Sequence, residues 1–141
     1  MLKVGDVAPE FILPDENGDE VSLTQRLANN AVILYFYPRD DTPGCTKEAC
    51  GFRDAMPAIV ERNATVLGVS ADPVDSHERF RDKYDLNFPL LADVDHAVAE
   101  AYRLQRFPGP PLALAALHAG IELVGLIWMR ARQLIEAHFG A

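Results

Sequence analysis

The sequence predicts an α/β domain: a central mixed sheet flanked by helices, with a β-hairpin near the N-terminus, all in one unit over residues 1–141. Three observations carry this. Ala31 to Tyr37 is an apolar run between polar flanks, the pattern of a strand buried on both faces of a largely parallel sheet. A second such run, Thr65 to Ser70, follows one helical pattern later, which makes the pair a βαβ unit with a crossover connection. Near the start, Asn17-Gly18 lies between two short apolar runs, a strong hairpin signal. A chain of 141 residues fits a single domain with one core, and no repeat, linker or low-complexity segment interrupts it.

The elements follow in order. Phe11 to Leu13 and Glu20 to Ser22 form the hairpin. Ser22 can cap a short helix over Leu23 to Asn29, which leads into the central strand. Thr42-Pro43 starts a helix that runs to about Arg62, because the hydroxyl can cap and proline at the first helical position has no N–H to satisfy. Its buried stripe is Ala49, Phe52, Met56, Ile59 and Val60, at three- and four-residue spacing, and Pro57 should kink or split it. After the second strand, Asp72-Pro73 turns the chain into a helix over Val74 to Tyr84. Phe88 to Ala92 is a short strand, and Asp93 or Asp95 can cap a brief helix through Tyr102. Leu112 to Leu117 and Ile121 to Trp128 are close enough for an antiparallel hairpin, and Arg130 to Phe139 closes the chain as a helix.

Composition excludes several function classes. A net charge of -8 without any Lys/Arg cluster argues against nucleic acid or an anionic membrane as partner. Met1 to Phe11 carries Lys3, Asp6 and Glu10 and no apolar run, so no secretory signal is expected, and no stretch approaches a membrane span. A cytoplasmic protein is the expectation. In that compartment thiols are held reduced, so two nearby cysteines read as redox-active or metal-binding rather than as a structural bridge. His77, His96, His118 and His138 are scattered and no Cys-x-x-Cys is present, which leaves a zinc site short of ligands. No cofactor is implied.

Those two cysteines are the chemical centre of the chain. Cys45 falls in the first turn of the helix that Thr42 begins, where free backbone N–H groups and the positive end of the helix dipole favour a negative charge. That makes it a candidate nucleophile. Cys50 lies five residues on, turned by about 140° around the axis and about 7.5 Å further along, which puts the two Cα atoms roughly 8 to 9 Å apart. A disulfide wants less than about 7 Å, so a bond between them requires the helix start to unwind. Read alone, Cys50 is equally a buried small hydrophobe.

The segment Pro38-Arg39-Asp40-Asp41-Thr42-Pro43-Gly44-Cys45 resembles the signature of the peroxiredoxins: a proline, a threonine four residues later, and the reactive cysteine three after that. Its continuation, Thr46 to Asp54, is similar to the bacterioferritin comigratory protein or Q-type subgroup, whose resolving cysteine stands five residues after the reactive one. The similarity extends along most of the chain and is weakest after Tyr102. It implies a thioredoxin-like fold and a peroxidase that reduces hydrogen peroxide and organic hydroperoxides. Cys45 would form a sulfenic acid, Cys50 would condense with it to an intramolecular disulfide, and a thioredoxin-like partner would reduce that bond. By the same resemblance the Thr42 hydroxyl and the Cys45 amide orient the peroxide, and Pro38 shields the thiolate from water. Glu48 matches a glutamate common in the subgroup, and is otherwise a solvated helix residue. Thr42 is also an ordinary helix cap, Pro38 a strand terminator and Gly44 a small turn residue. Asp40 and Asp41 are expected to point into solvent, since like charges close to the sulfur would oppose its ionisation.

One departure stands out. The family uses an arginine ahead of the penultimate strand to hold thiolate and peroxide, and here the corresponding stretch, Phe107 to Leu112, has proline at that position, Pro110 or Pro111. Arg103 and Arg106 lie upstream and are otherwise surface residues. A lost charge-assisted hydrogen bond of about 1.5 to 3 kcal/mol would slow the chemistry roughly 10- to 150-fold. The alternative reading is therefore a slow thiol sensor or interaction protein on the same fold. A thiol-disulfide oxidoreductase of thioredoxin type is disfavoured by the long cysteine spacing.

Overall fold

The computed structural model describes residues 8–102 together with the backbone of two strands, 113–118 and 122–127. The expected helix over Arg130 to Phe139 and the stretch Phe107 to Leu112 lie outside the described residues. A small antiparallel hairpin comes first, β1 (Ile12–Pro14) with β2 (Glu20–Ser22), Leu13 opposite Val21. Asp15 builds its turn: one carboxylate oxygen accepts from the amides of Asn17 at 2.9 Å and Asp19 at 3.0 Å. Gly18 sits at φ +82°, a conformation that a side chain would strain. Glu16, beside it, accepts from the Leu90 amide at 3.0 Å, so the turn covers part of a sheet edge that would otherwise be open to pairing.

The main sheet has five strands: β3 (Ala31–Phe36), β4 (Ala64–Ser70), β5 (Leu90–Ala92), β6 (Ala113–His118) and β7 (Glu122–Ile127). Their spatial order is β5-β4-β3-β6-β7. β3 runs parallel to β4, and β4 to β5, through helical crossovers, while β6 and β7 return antiparallel with a bulge at Ala116/Leu117. The sheet is mixed, as expected, with strand limits moved by one or two residues. β5 begins at Leu90 rather than Phe88 because Pro89 has no N–H to give the ladder.

Period-two alternation divides the core. Val32, Leu34 and Phe36 join Leu67, Val69 and Leu91 on one face, packed with Leu23 and Leu27 of α1 (Leu23–Leu27) and Val98 of α4 (Ala97–Ala101). Ile33, Tyr35 and Tyr37 join Val66 and Leu90 on the other, under α2 (Pro43–Glu61) and α3 (Val74–Tyr84). Ser22 caps α1 by accepting from the Gln25 amide at 3.3 Å. Both aspartates proposed ahead of α4 are used: Asp93 accepts from the amides of Val98 and Ala99 at 3.1 and 2.9 Å, and Asp95 from Ala97 at 3.1 Å. Among the described residues, no helix is long and apolar enough to cross a membrane.

α2 corrects two expectations. Its buried stripe is Cys45, Ala49, Phe52, Met56 and Ile59, alternating four- and three-residue steps, and Val60 has rotated off it to 59 % exposure. Pro57 does not split the helix, which continues from Pro43 to Glu61. Proline leaves the Arg53 carbonyl without its usual donor. Asn87 supplies one instead, its side-chain amide donating to Arg53 O at 3.1 Å.

Candidate active site

The site forms where β3 ends. Tyr37 extends the strand by one bond, its amide donating to Val69 O at 3.0 Å, and exposed Pro38 then stops the ladder. Thr42 is the N-cap residue of α2 and Pro43 takes the first helical position. The Thr42 side chain does not cap, contrary to the sequence expectation. Its hydroxyl donates to Arg39 O at 3.1 Å, while its carbonyl accepts from the Thr46 amide at 2.8 Å. Two consequences follow. The hydroxyl proton is committed to Arg39, so the oxygen is left as an acceptor, and the Thr42 side chain satisfies none of the first-turn amides of α2.

Cys45 sits in that first turn and belongs to the same buried cluster as Tyr35, Tyr37, Ala49 and Phe52. Cys50 is half-buried, and both thiols are free. Tyr35 stacks on Phe52 at 4.6 Å between ring centroids and on Tyr37 at 5.5 Å. Gly68 makes room for it, since a Cβ there would lie 3.0 Å from its ring carbons and hydroxyl. Among the described residues the Tyr35 hydroxyl is buried without a hydrogen-bond partner. Burial, and then the fields of Cys45, Asp40, Glu48 and Cys50, push its ionisation well above the ordinary tyrosine range. The phenol therefore stays protonated beside the cysteines.

The two aspartates of the loop behave differently from each other. Asp41 is exposed, as expected, at φ +56°, and accepts from Lys83 at 2.7 Å and from the Tyr84 hydroxyl at 2.6 Å. These donors hold its carboxyl below the usual range. Asp40, expected in solvent, is buried, because three groups converge on its carboxylate and an acceptor waits for its amide. Its carboxylate accepts from the Tyr37 hydroxyl at 2.6 Å and the Ser76 hydroxyl at 2.8 Å and meets His77 Nδ1 at 2.7 Å, while its amide donates to Asp72 at 2.8 Å. His77 is fully buried, with Nε2 3.0 Å from Leu91 O. A carbonyl only accepts, so Nε2 carries hydrogen, and two bare acceptors would repel at 2.7 Å. A hydrogen therefore lies between Asp40 and His77 Nδ1.

Sequence reasoning missed this cluster. Asp40 and His77 lie in different elements, and nothing in their spacing couples them. The available signal was that His77, Phe80 and Tyr84 fall at i, i+3 and i+7, which puts the histidine on the apolar stripe of α3. Of the sequence candidates, Thr42 is the cap residue of α2, Cys45 is in its first turn and Cys50 lies further along the same helix, while Pro38 stands four residues ahead of Thr42, just past the end of β3. Arg103 and Arg106 are outside the described residues. Among the described residues no group of three or more His, Cys, Asp or Glu side chains could hold a metal ion.

Residues 4–123 match the model of the AhpC/TSA family. The chain belongs to that family. Its similarity within AhpC/TSA is to the Bcp and Q-type peroxiredoxins: it is 52% identical over 101 residues to the putative peroxiredoxin bcp of Coxiella burnetii, a match that covers 72% of this chain and 66% of that protein. The crystal structure of peroxidoxin BcpB from Mycobacterium tuberculosis superposes with a TM-score of 0.85 at 32% identity, covering 91% of this chain and 86% of the other. A Xanthomonas campestris bacterioferritin comigratory protein, described for its alkyl peroxide reduction activity, superposes with a TM-score of 0.81 at 27% identity over 90% of this chain and 86% of that one. The AhpC/TSA fold seen here is thus thioredoxin-like, with the additional N-terminal hairpin.

Proposed function

We propose that this AhpC/TSA chain is a thiol peroxidase that reduces hydrogen peroxide and organic hydroperoxides. The observation that carries the reading is the start of α2, where buried Cys45 occupies an uncapped first turn and the Thr42 hydroxyl is oriented by Arg39 O to accept rather than to cap. A peroxide O–H donates to Thr42 and its oxygen is held near the Cys45 amide. The Cys45 thiolate attacks one oxygen, the O–O bond breaks, and the other oxygen leaves as hydroxide or alkoxide and takes a proton from solvent. Sulfur is oxidised to sulfenic acid. Pro38 screens it from bulk water.

In the second half-cycle the Cys50 thiolate attacks the Cys45 sulfur, the S–S bond forms and hydroxide departs. A thioredoxin-like dithiol then supplies two electrons and restores both thiols. The alkyl peroxide reduction of the Xanthomonas relative supports organic hydroperoxides as substrates. The test is a pair of mutants that should differ in kind. Cys45→Ser should abolish peroxide consumption, whereas Cys50→Ser should form a dimedone-trappable sulfenic acid but fail to turn over with thioredoxin. Equal oxidation of the remaining thiol in both variants would overturn the assignment.

A further inference from the structure

The peroxidase reading needs the Thr42 oxygen aimed at the substrate, and the structure shows what aims it. Thr42 bonds to the carbonyl of the Arg39–Asp40 peptide, and the N–H of that same peptide donates to Asp72 at 2.8 Å. Asp72 is itself held by the Ser70 hydroxyl at 2.7 Å. The orientation of this one peptide plane therefore sets the Thr42 hydroxyl. The Asp40 side chain fixes it from the other direction through Tyr37 of β3, Ser76 and His77 of α3, and His77 is anchored in turn to Leu91 O of β5. Three separate elements thus converge on a loop that has no sheet ladder of its own.

We propose that His77 is a positioning residue for peroxide reduction: acting through Asp40, it locks the Arg39–Asp40 peptide so that Thr42 presents an acceptor to the peroxide above Cys45. This rests on the peroxidase reading, and the experiment separates the two. For each protein, the second-order rate of Cys45 with hydrogen peroxide is divided by its rate with iodoacetamide. Alkylation needs an ionised, accessible sulfur but no Thr42 acceptor, so the quotient isolates positioning from general thiol reactivity and from loss of fold.

If the parent quotient is no higher than that of free cysteine, the peroxidase reading fails. Given a high parent quotient, His77→Ala should lower it at least tenfold. His77→Asn, whose amide can still donate to Asp40, should stay within about threefold of the parent. His77→Ala leaves a buried carboxylate without its partner, so Asp40→Ala, which removes that carboxylate, serves as a second route. It should lower the quotient by a similar factor, and the double variant should be no worse than the poorer single one. A quotient within twofold of the parent in both His77→Ala and Asp40→Ala, or in Asp40→Ala alone where His77→Ala does not fold, would overturn the proposal.

Discussion

The two halves of α2 treat their backbone polar groups in opposite ways. Around Pro57, where covalent chemistry removes a donor, Asn87 reaches in from the loop after α3 to satisfy Arg53 O, and the Arg53 guanidinium donates to Tyr84 O at 2.7 Å. Phe52, Met56 and Ile59 are buried on the same half. At the other end the cap residue turns its hydroxyl away, and the first-turn amides receive nothing from its side chain. The helix is closed in its second half and open at its start, where the proposed peroxide site lies. The difference also localises motion. Upstream the Asp40 and Asp41 anchors hold the loop, downstream Phe52 and Arg53 hold the helix, and the segment bearing both cysteines lies between them.

The sharpest way to break this comparison is to oxidise the protein. With α2 intact from Pro43 to Glu61, the cysteine Cα atoms are roughly 8 to 9 Å apart, beyond the reach of about 7 Å for a disulfide. The bond therefore requires the first turns to melt. Amide exchange over Thr42 to Phe52 should accelerate by about a hundredfold or more in the disulfide form, while Ile59 and β3 stay protected. An oxidised structure with an unchanged helix start would sink the idea.

A smaller kinetic effect is expected at the arginines. The resemblance implies that Pro110 or Pro111 stands where the peroxiredoxins carry an arginine, and we propose that the helix start sustains the thiolate without a displaced replacement. Arg103→Ala and Arg106→Ala should then each change the second-order peroxide rate by less than tenfold. A larger fall in either, with the fold retained, would identify that residue as the missing cation.

At the closed half, Asn87→Ala should cost about 0.5 to 1.5 kcal/mol in denaturant unfolding, the worth of one ordinary hydrogen bond. It should leave the initial peroxide rate unchanged. In the oxidised form, fast exchange should spread past Phe52 towards Pro57. No spread would mean that side-chain packing alone anchors that half.

How much of this was legible in the chain depended on how local the cause was. The strands were legible because burial on both faces writes an apolar run, as in Ala31 to Tyr37, and the cysteines because their chemistry and spacing are local to one helix. Val60 was misplaced because two residues at i+3 and i+4 compete for the end of a stripe, and only packing decides between them. Asp40 was misplaced for a different reason. A charged loop residue reads as solvated until the fold delivers a histidine 37 positions away, together with two hydroxyls and a carboxylate. Thr42 failed as a side-chain cap on the same ground, because its hydroxyl is drawn to Arg39 O instead of the first-turn amides.

The weakest expected effect concerns Asp41, the exposed neighbour of Asp40, and it sharpens the contrast between the two upstream anchors. Asp41 tolerates its positive φ as aspartate often does, and its donors Lys83 and Tyr84 lower its carboxyl below the unfolded value. A carboxyl lowered in the folded state contributes stability above its unfolded value, and that contribution is lost as pH falls through the folded one. The window is thus below about pH 4. Lys83→Ala removes the nearest cation, so acid unfolding should begin at slightly higher pH than in the parent. Because the pair is in water, the difference should vanish in 1 M salt, where the screening length is about 3 Å. The peroxide rate at neutral pH should not change, since the peptide that orients Thr42 is held through Asp40 and Asp72 and not through Asp41. A persistent difference in high salt, or a slower reaction at neutral pH, would show that the exposed anchor matters as much as the buried one.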